Sequence, residues 1–107
     1  MQEYLTAFVT VPDQTTADKL VNLVLTKKAV ACAQILSPIQ SRYWWNGEIQ
    51  TDSELLLIFK LTSKRWELFL DTVLEVHPYE APEVIALPIK KGHKSYFKWL
   101  EKETNTE

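Results

Sequence analysis

The sequence is short of the residues that most often announce chemistry. It has two glycines, Gly47 and Gly92, so neither a phosphate-cradling loop nor a dinucleotide fingerprint can be assembled. It has one cysteine, Cys32, which excludes an intrachain disulfide and every C-x-x-C metal or redox motif. No run approaches the ~20 apolar residues of a membrane-spanning helix, and Met1-Gln2-Glu3-Tyr4 lacks the basic start of a secretory leader. The cytoplasm is therefore the expected compartment, with no membrane partner. A net charge of −2 supplies no basic field for DNA or RNA, so no nucleic-acid partner is expected. No nucleophile elbow, Ser/His/Asp arrangement or paired acid–base constellation occurs, and the chain is not expected to be an enzyme. No organic cofactor is implied.

What is present is a core-former. Of the 107 residues 46% are hydrophobic, four of them Trp, which suits one domain over residues 1–107 and argues against disorder. The strongest local signal is Asn46-Gly47 between two extended runs, because a two-residue hairpin turn needs φ > 0 at both central positions. It sets Trp45 opposite Glu48, Trp44 opposite Ile49, Tyr43 opposite Gln50 and Arg42 opposite Thr51, in a ribbon running from Ala31 to Thr62. Pro38 cannot donate to a ladder, so an edge or bulge is expected there.

Around the ribbon, Tyr4 to Val11 reads as a strand closed by Pro12, with Asp13, Thr15 or Thr16 able to cap the helix that follows. Ala17, Leu20, Val21 and Val24 have helical spacing, with Lys27 and Lys28 expected in the last turn. After the ribbon, Thr62 or Ser63 is the expected cap of a second helix with the apolar stripe Trp66, Phe69, Leu70, Val73 and Leu74. His77 to Glu83 is a proline-stiffened loop, Val84 to Ile89 an edge strand carrying Pro88, Ser95 to Lys102 a closing helix, and the tail from Glu103 frayed.

The order β-α-β-β-α-β predicts an α+β, ferredoxin-like fold: a four-stranded antiparallel sheet with helices on one face, plus a short C-terminal helix. One face of such a sheet is bare, yet Leu55 to Phe59 is apolar on both. The bare face is therefore expected to be an interface between copies of the chain.

Candidate site residues are few. His77 and Glu80, with Glu83 and Tyr79, combine imidazole and carboxylate in a stiff loop, a donor set for Cu²⁺ or Zn²⁺. The competing reading has His77 capping the preceding helix and the two Glu solvated. Cys32 is expected to be a packed core thiol. Lys60 either snorkels to water or contacts an anion or Glu80 or Glu83 in a cleft, and Tyr43, Trp44 and Trp45 belong to an interface or stack on a ligand. His93, between Gly92 and Lys94, reads as a turn residue.

Val9-Thr10-Val11-Pro12-Asp13, Val30-Ala31-Cys32-Ala33, Ser41 to Glu48, Glu54 to Lys60, His77-Pro78-Tyr79-Glu80-Ala81-Pro82-Glu83 and Gly92 to Trp99 together resemble the CutA divalent-cation-tolerance family. The resemblance implies a homotrimer like the PII signalling proteins. It also implies a part in the response to divalent cations, copper above all, through a site containing the histidine at position 77. The binding-module alternative is a PII-like trimer holding a small ligand between subunits, with Tyr43, Trp45, Lys60, Tyr79 and Glu83 at the cleft. Some members carry a cysteine where this chain has Val9 and a further histidine where it has Val76.

Overall fold

Asn46 and Gly47 turn the chain back on itself with φ of 51° and 78°, both in the left-handed region that the hairpin requires. The structure is a computed structural model and describes residues 3–105. Its elements are β1 (Tyr4–Val11), α1 (Gln14–Thr26), β2 (Cys32–Trp45), β3 (Glu48–Thr62), a 3-10 turn at Ser63–Arg65 leading into α2 (Trp66–Val76), β4 (Val84–Pro88) and α3 (Lys94–Thr104). The sheet is antiparallel throughout, in the order β2-β3-β1-β4. All four pairs expected around the turn form, from Trp45 with Glu48 to Arg42 with Thr51.

Gly47 has nothing within 4 Å of where a Cβ would lie, so a side chain there meets backbone strain and no clash. A β-branched residue at that φ costs about 1–2 kcal/mol. Gly47→Val is therefore expected to lower the melting temperature, whereas Gly47→Asn should be nearly neutral. Equal melting of all three proteins would show that the turn carries no such strain.

Alternation along β1 and β3 sends Ala7, Val9, Val11, Leu55, Leu57, Phe59 and Leu61 to one face, where they are buried beneath α1 and α2. Ala17, Leu20 and Val24 of α1 and Phe69 and Val73 of α2 complete this core, with the Phe59 and Phe69 rings edge-on at 5.0 Å. Asp13 caps α1, its Oδ1 accepting from the Thr16 N–H at 2.8 Å, a bond that holds the Asp13 carboxyl below the usual range. At its other end α1 stops at Thr26, two residues earlier than expected. Lys28 is the left-handed residue (φ 57°), and the Lys28 and Ala29 amides donate back to Leu25 O and Val24 O, the two bonds of a Schellman cap. Lys27 and Lys28 thus lie beyond the last turn rather than in it.

α2 departs from expectation too. Neither Thr62 nor Ser63 gives it a side-chain cap, since the 3-10 turn intervenes. Leu74 is half exposed, and Thr72 takes the buried place, its hydroxyl donating to Leu68 O at 2.7 Å. A threonine can be buried there because the preceding turn's carbonyl satisfies it.

The opposite face carries Phe8, Leu56 and Ile58, half buried, with Leu36, Ile85 and Leu87 exposed. α3 covers only one end of it. Phe97 stacks on Tyr4 at 4.0 Å, the Tyr4 hydroxyl donates to Glu101 Oε2 at 2.7 Å, and Leu100 is fully buried. The helix runs on to Thr104, which is buried and donates to Leu100 O, so Glu103 does not begin a frayed tail; residues 106 and 107 lie outside the described residues. β4 is an edge strand as expected, and the amide of Ile89 just past it still donates to Tyr4 O.

Candidate functional site

Pro38 sits on the outer strand at a break in the β2–β3 register, where Leu36 pairs with Leu56 but Ile39 pairs with Glu54. Because strand side chains alternate, this bulge reverses which residues of β2 face which way. Before it, Cys32, Gln34 and Leu36 share the bare face; beyond it Ile39, Ser41, Tyr43 and Trp45 do, opposite Glu54, Asp52, Gln50 and Glu48. The outer ribbon therefore turns two aromatic rings and three carboxylates, Glu48, Asp52 and Glu54, toward the space above the sheet.

The loop after α2 closes that space. The result is a cleft of about 750 Å³ lined by Thr10, Tyr43, Trp45, Asp52 and Glu54 on the sheet side, and by Pro78, Tyr79, Glu80 and Glu83 on the loop side. Two phenols tie its walls together: Tyr79 donates to Glu54 Oε2 at 2.7 Å, across from loop to sheet, and Tyr43 donates to Asp52. Burial, and next the bond to Glu54, push the Tyr79 hydroxyl well above its ordinary value; the bond to Asp52 raises that of Tyr43. Both remain hydrogen-bond donors at neutral pH.

His77 stands behind the loop. It is buried, its Nδ1 accepting from the Tyr79 N–H at 3.2 Å and its Nε2 lying 2.7 Å from Thr10 O. Those partners require the Nε2–H tautomer, donating to the Thr10 carbonyl. Both ring nitrogens are engaged, so ligation by His77 requires one of these bonds to open. Its backbone also closes α2, the His77 amide donating to Val73 O.

Of the residues singled out in the sequence, Tyr43, Trp45, Tyr79, Glu80 and Glu83 line one cleft. Lys60 is not among its lining residues: it lies two rungs down the bare face opposite Cys32 and Thr6, its Nζ donating to Gln34 Oε1 at 2.8 Å. Cys32 is half buried rather than a packed core thiol, because it faces the sheet side that α3 only partly covers. It neighbours Tyr96, whose hydroxyl is raised first by burial and then by Cys32. His93 precedes α3 and its carbonyl accepts from Phe97. Thr10, Asp52 and Glu54 escaped the sequence reading. The signal was available in the ribbon, where Glu54 directly precedes Leu56 and Ile58 in the bare-face alternation of β3.

Electrostatically the cleft is one-sided. Asp52, Glu54, Glu80 and Glu83 face Arg42 alone, and Arg42 donates to Gln40 Oε1 at 3.1 Å. The ion pair among the described residues, Lys27 with Glu75 at 3.9 Å, is elsewhere. No three His, Cys, Asp or Glu side chains of the described residues gather closely enough to hold one metal ion. No helix of the described residues is long and apolar enough to cross a membrane.

Residues 5–103 match the family model described as CutA1 divalent ion tolerance protein. The chain is 40% identical over 100 residues to Protein CutA 1, chloroplastic, of Oryza sativa subsp. japonica, and 39% identical over 100 to Protein CutA of Homo sapiens. Each alignment takes in 94% of this chain but 56% of the relative, so the chain spans little more than half the length of these curated relatives. It is 35% identical over 96 residues to Divalent-cation tolerance protein CutA of Thermus thermophilus, covering 90% of this chain and 93% of that one. Among solved structures, CutA1 from Oryza sativa superposes with a TM-score of 0.94 at 38% identity, covering 98% of this chain and 96% of that one. The periplasmic divalent cation tolerance protein CutA from Archaeoglobus fulgidus gives 0.90 at 30% identity, covering 98% and 100%. The compartments in these names, chloroplastic and periplasmic, differ from the cytoplasm.

Proposed function

The chain belongs to the CutA1 divalent ion tolerance family, and we propose that it serves divalent-cation tolerance as a non-enzymatic, cytoplasmic homotrimer whose acidic cleft binds cations weakly. The observation that carries this reading is the set of four cleft carboxylates, none of them in an ion pair among the described residues. A carboxylate left without a counter-charge in a partly desolvated cleft is stabilised by any cation that enters. Glu80 is the first ligand we assign, with His77 joining once its Nδ1 releases the Tyr79 amide or its Nε2 releases the Thr10 carbonyl. That required opening sets the affinity low, and a copper or zinc ion is the expected occupant because an imidazole joins oxygen donors.

The strand order, with α1 and α2 on one face, supports reading the fold as the ferredoxin-like split β-α-β plan. Support for assembly comes from the face those helices leave bare, where Phe8, Leu36, Leu56, Ile58, Ile85 and Leu87 form a continuous apolar surface reaching the cleft. Closing that face against neighbouring copies makes the cleft inter-subunit. A second reading, a PII-like trimer binding a small organic ligand there, is favoured by a cleft volume within the ~300–1,000 Å³ usual for such sites.

Copper titration calorimetry on the parent, His77→Ala, Glu80→Gln and His93→Ala proteins tests the metal reading. The first two variants are expected to bind severalfold more weakly and the third like the parent, with parent affinity falling on acidification because a ligating imidazole must be neutral. Equal affinity for all four would exclude the His77 and Glu80 site. Glu80 is exposed, so its variant reports even where His77→Ala perturbs the fold.

A further inference from the structure

The cleft's acids are spread out rather than gathered. Asp52 and Glu54 stand on the sheet wall, Glu80 and Glu83 on the loop wall, and no three metal-ligating side chains of the described residues converge. Glu54 is 5% exposed, and its hydrogen bond among the described residues is one neutral phenol at Oε2. An ionised carboxylate can accept about four hydrogen bonds, so this buried group can take further donors from a ligand in the cleft. The same walls carry rings, Tyr43 and Trp45 on the sheet side and Tyr79 and Pro78 on the loop side.

Separated negative charges in a cleft whose walls also carry aromatic rings are the complement of a flexible chain bearing separated positive charges. A single metal ion cannot satisfy both walls at once, and an anion is repelled by four carboxylates. Methylene segments suit the aromatic faces, and ammonium groups supply three donors each to the carboxylates and attract the ring faces. We propose that the cleft binds a linear aliphatic polyamine, its terminal ammonium groups on the sheet-wall and loop-wall carboxylates and its methylene chain over Trp45 and Tyr79. This rests on the reading of the cleft as a ligand site and names a chemical class for it.

Calorimetric titration of the chelator-treated full chain with spermidine, n-butylamine, pentalysine and, separately, copper tests it. Spermidine should bind saturably and about tenfold more tightly than butylamine, since each added exposed ion pair contributes roughly a 2- to 5-fold gain. The Glu80→Gln/Glu83→Gln double variant should lose about the same factor, and Trp45→Leu roughly 2- to 5-fold through its lost ring face. A Glu67→Gln/Asp71→Asn variant removes equal charge from exposed positions on α2 and should bind like the parent. No spermidine binding, butylamine equal to spermidine, pentalysine bound in preference to spermidine, or equal weakening by the α2 variant would each overturn the proposal. Copper binding without spermidine binding would remove the polyamine and leave the cation site standing; failure of both would remove the cleft as a ligand site.

Discussion

Tyr79→Phe is expected to destabilise the protein by about 1–3 kcal/mol, because it removes the donor to a buried carboxylate while leaving that carboxylate in place. Glu54 is buried and its bond from Tyr79 is what joins the loop to the ribbon. In a chain of ~100 residues each kcal/mol moves the melting temperature by roughly 4–8 °C. The double variant Tyr79→Phe/Glu54→Leu should recover much of the loss, since no unsatisfied charge then remains. The pH dependence has a fixed sign. The folded Tyr79 hydroxyl titrates above the 10.0 of a free tyrosine, from burial first and Glu54 second. Its contribution is therefore complete below that value and is lost as pH rises toward the folded one. Melts of parent and Tyr79→Phe at neutral and alkaline pH should converge as alkali removes what the variant already lacks. An unchanged melting temperature at neutral pH would mean that Glu54 does not depend on this donor.

Gly92→Ala is expected to cost a similar amount by overpacking. A Cβ at position 92 would press into the ring of Phe97, with Cε2 2.9 Å away and Cε1 3.0 Å away. That ring is held in place, because one of its faces lies flat on Tyr4 at 4.0 Å and 2°. Inserting a methyl against a fixed ring costs ~1–3 kcal/mol. The strain should appear at the α3 end of the sheet and be relieved by Phe97→Leu in the same chain. Thermal melts of both single variants and the double decide it; strict additivity of the two effects would exclude the proposed contact. Here glycine is required for close approach, whereas at Gly47 it is required for φ.

Local rules made much of this legible. The Asn46-Gly47 turn fixes the register of the ribbon, the Pro12-Asp13 pair fixes the strand-to-helix switch, and Pro38 and Pro88 identify edge strands. That Cys32 and Gln34 share a face with Tyr43 and Trp45 was not legible, because it depends on a one-residue bulge that reverses alternation beyond it. Tyr79 with Glu54 joins positions 25 apart, and His77 with Thr10 joins positions 67 apart; no periodicity reports such pairs. His77 was conspicuous as a histidine in a stiff loop, but its saturation by a backbone amide and a backbone carbonyl becomes visible only in the folded chain. Thr72 displaced Leu74 from the helix stripe for a comparable reason, since burial of a hydroxyl depends on which carbonyl it reaches.

In the proposed assembly the bare sheet face is closed by other copies of the chain, which turns the acidic cleft into an inter-subunit site. Native mass spectrometry at micromolar concentration tests it most directly, with Ile58→Glu alongside the parent. Ile58 lies in the middle of that face, outside the buried core, so a charge there blocks assembly without entering the core. The expected result is a parent species at three times the 12.4 kDa chain mass and a folded monomer for Ile58→Glu. A folded parent monomer at 12.4 kDa would contradict the claim.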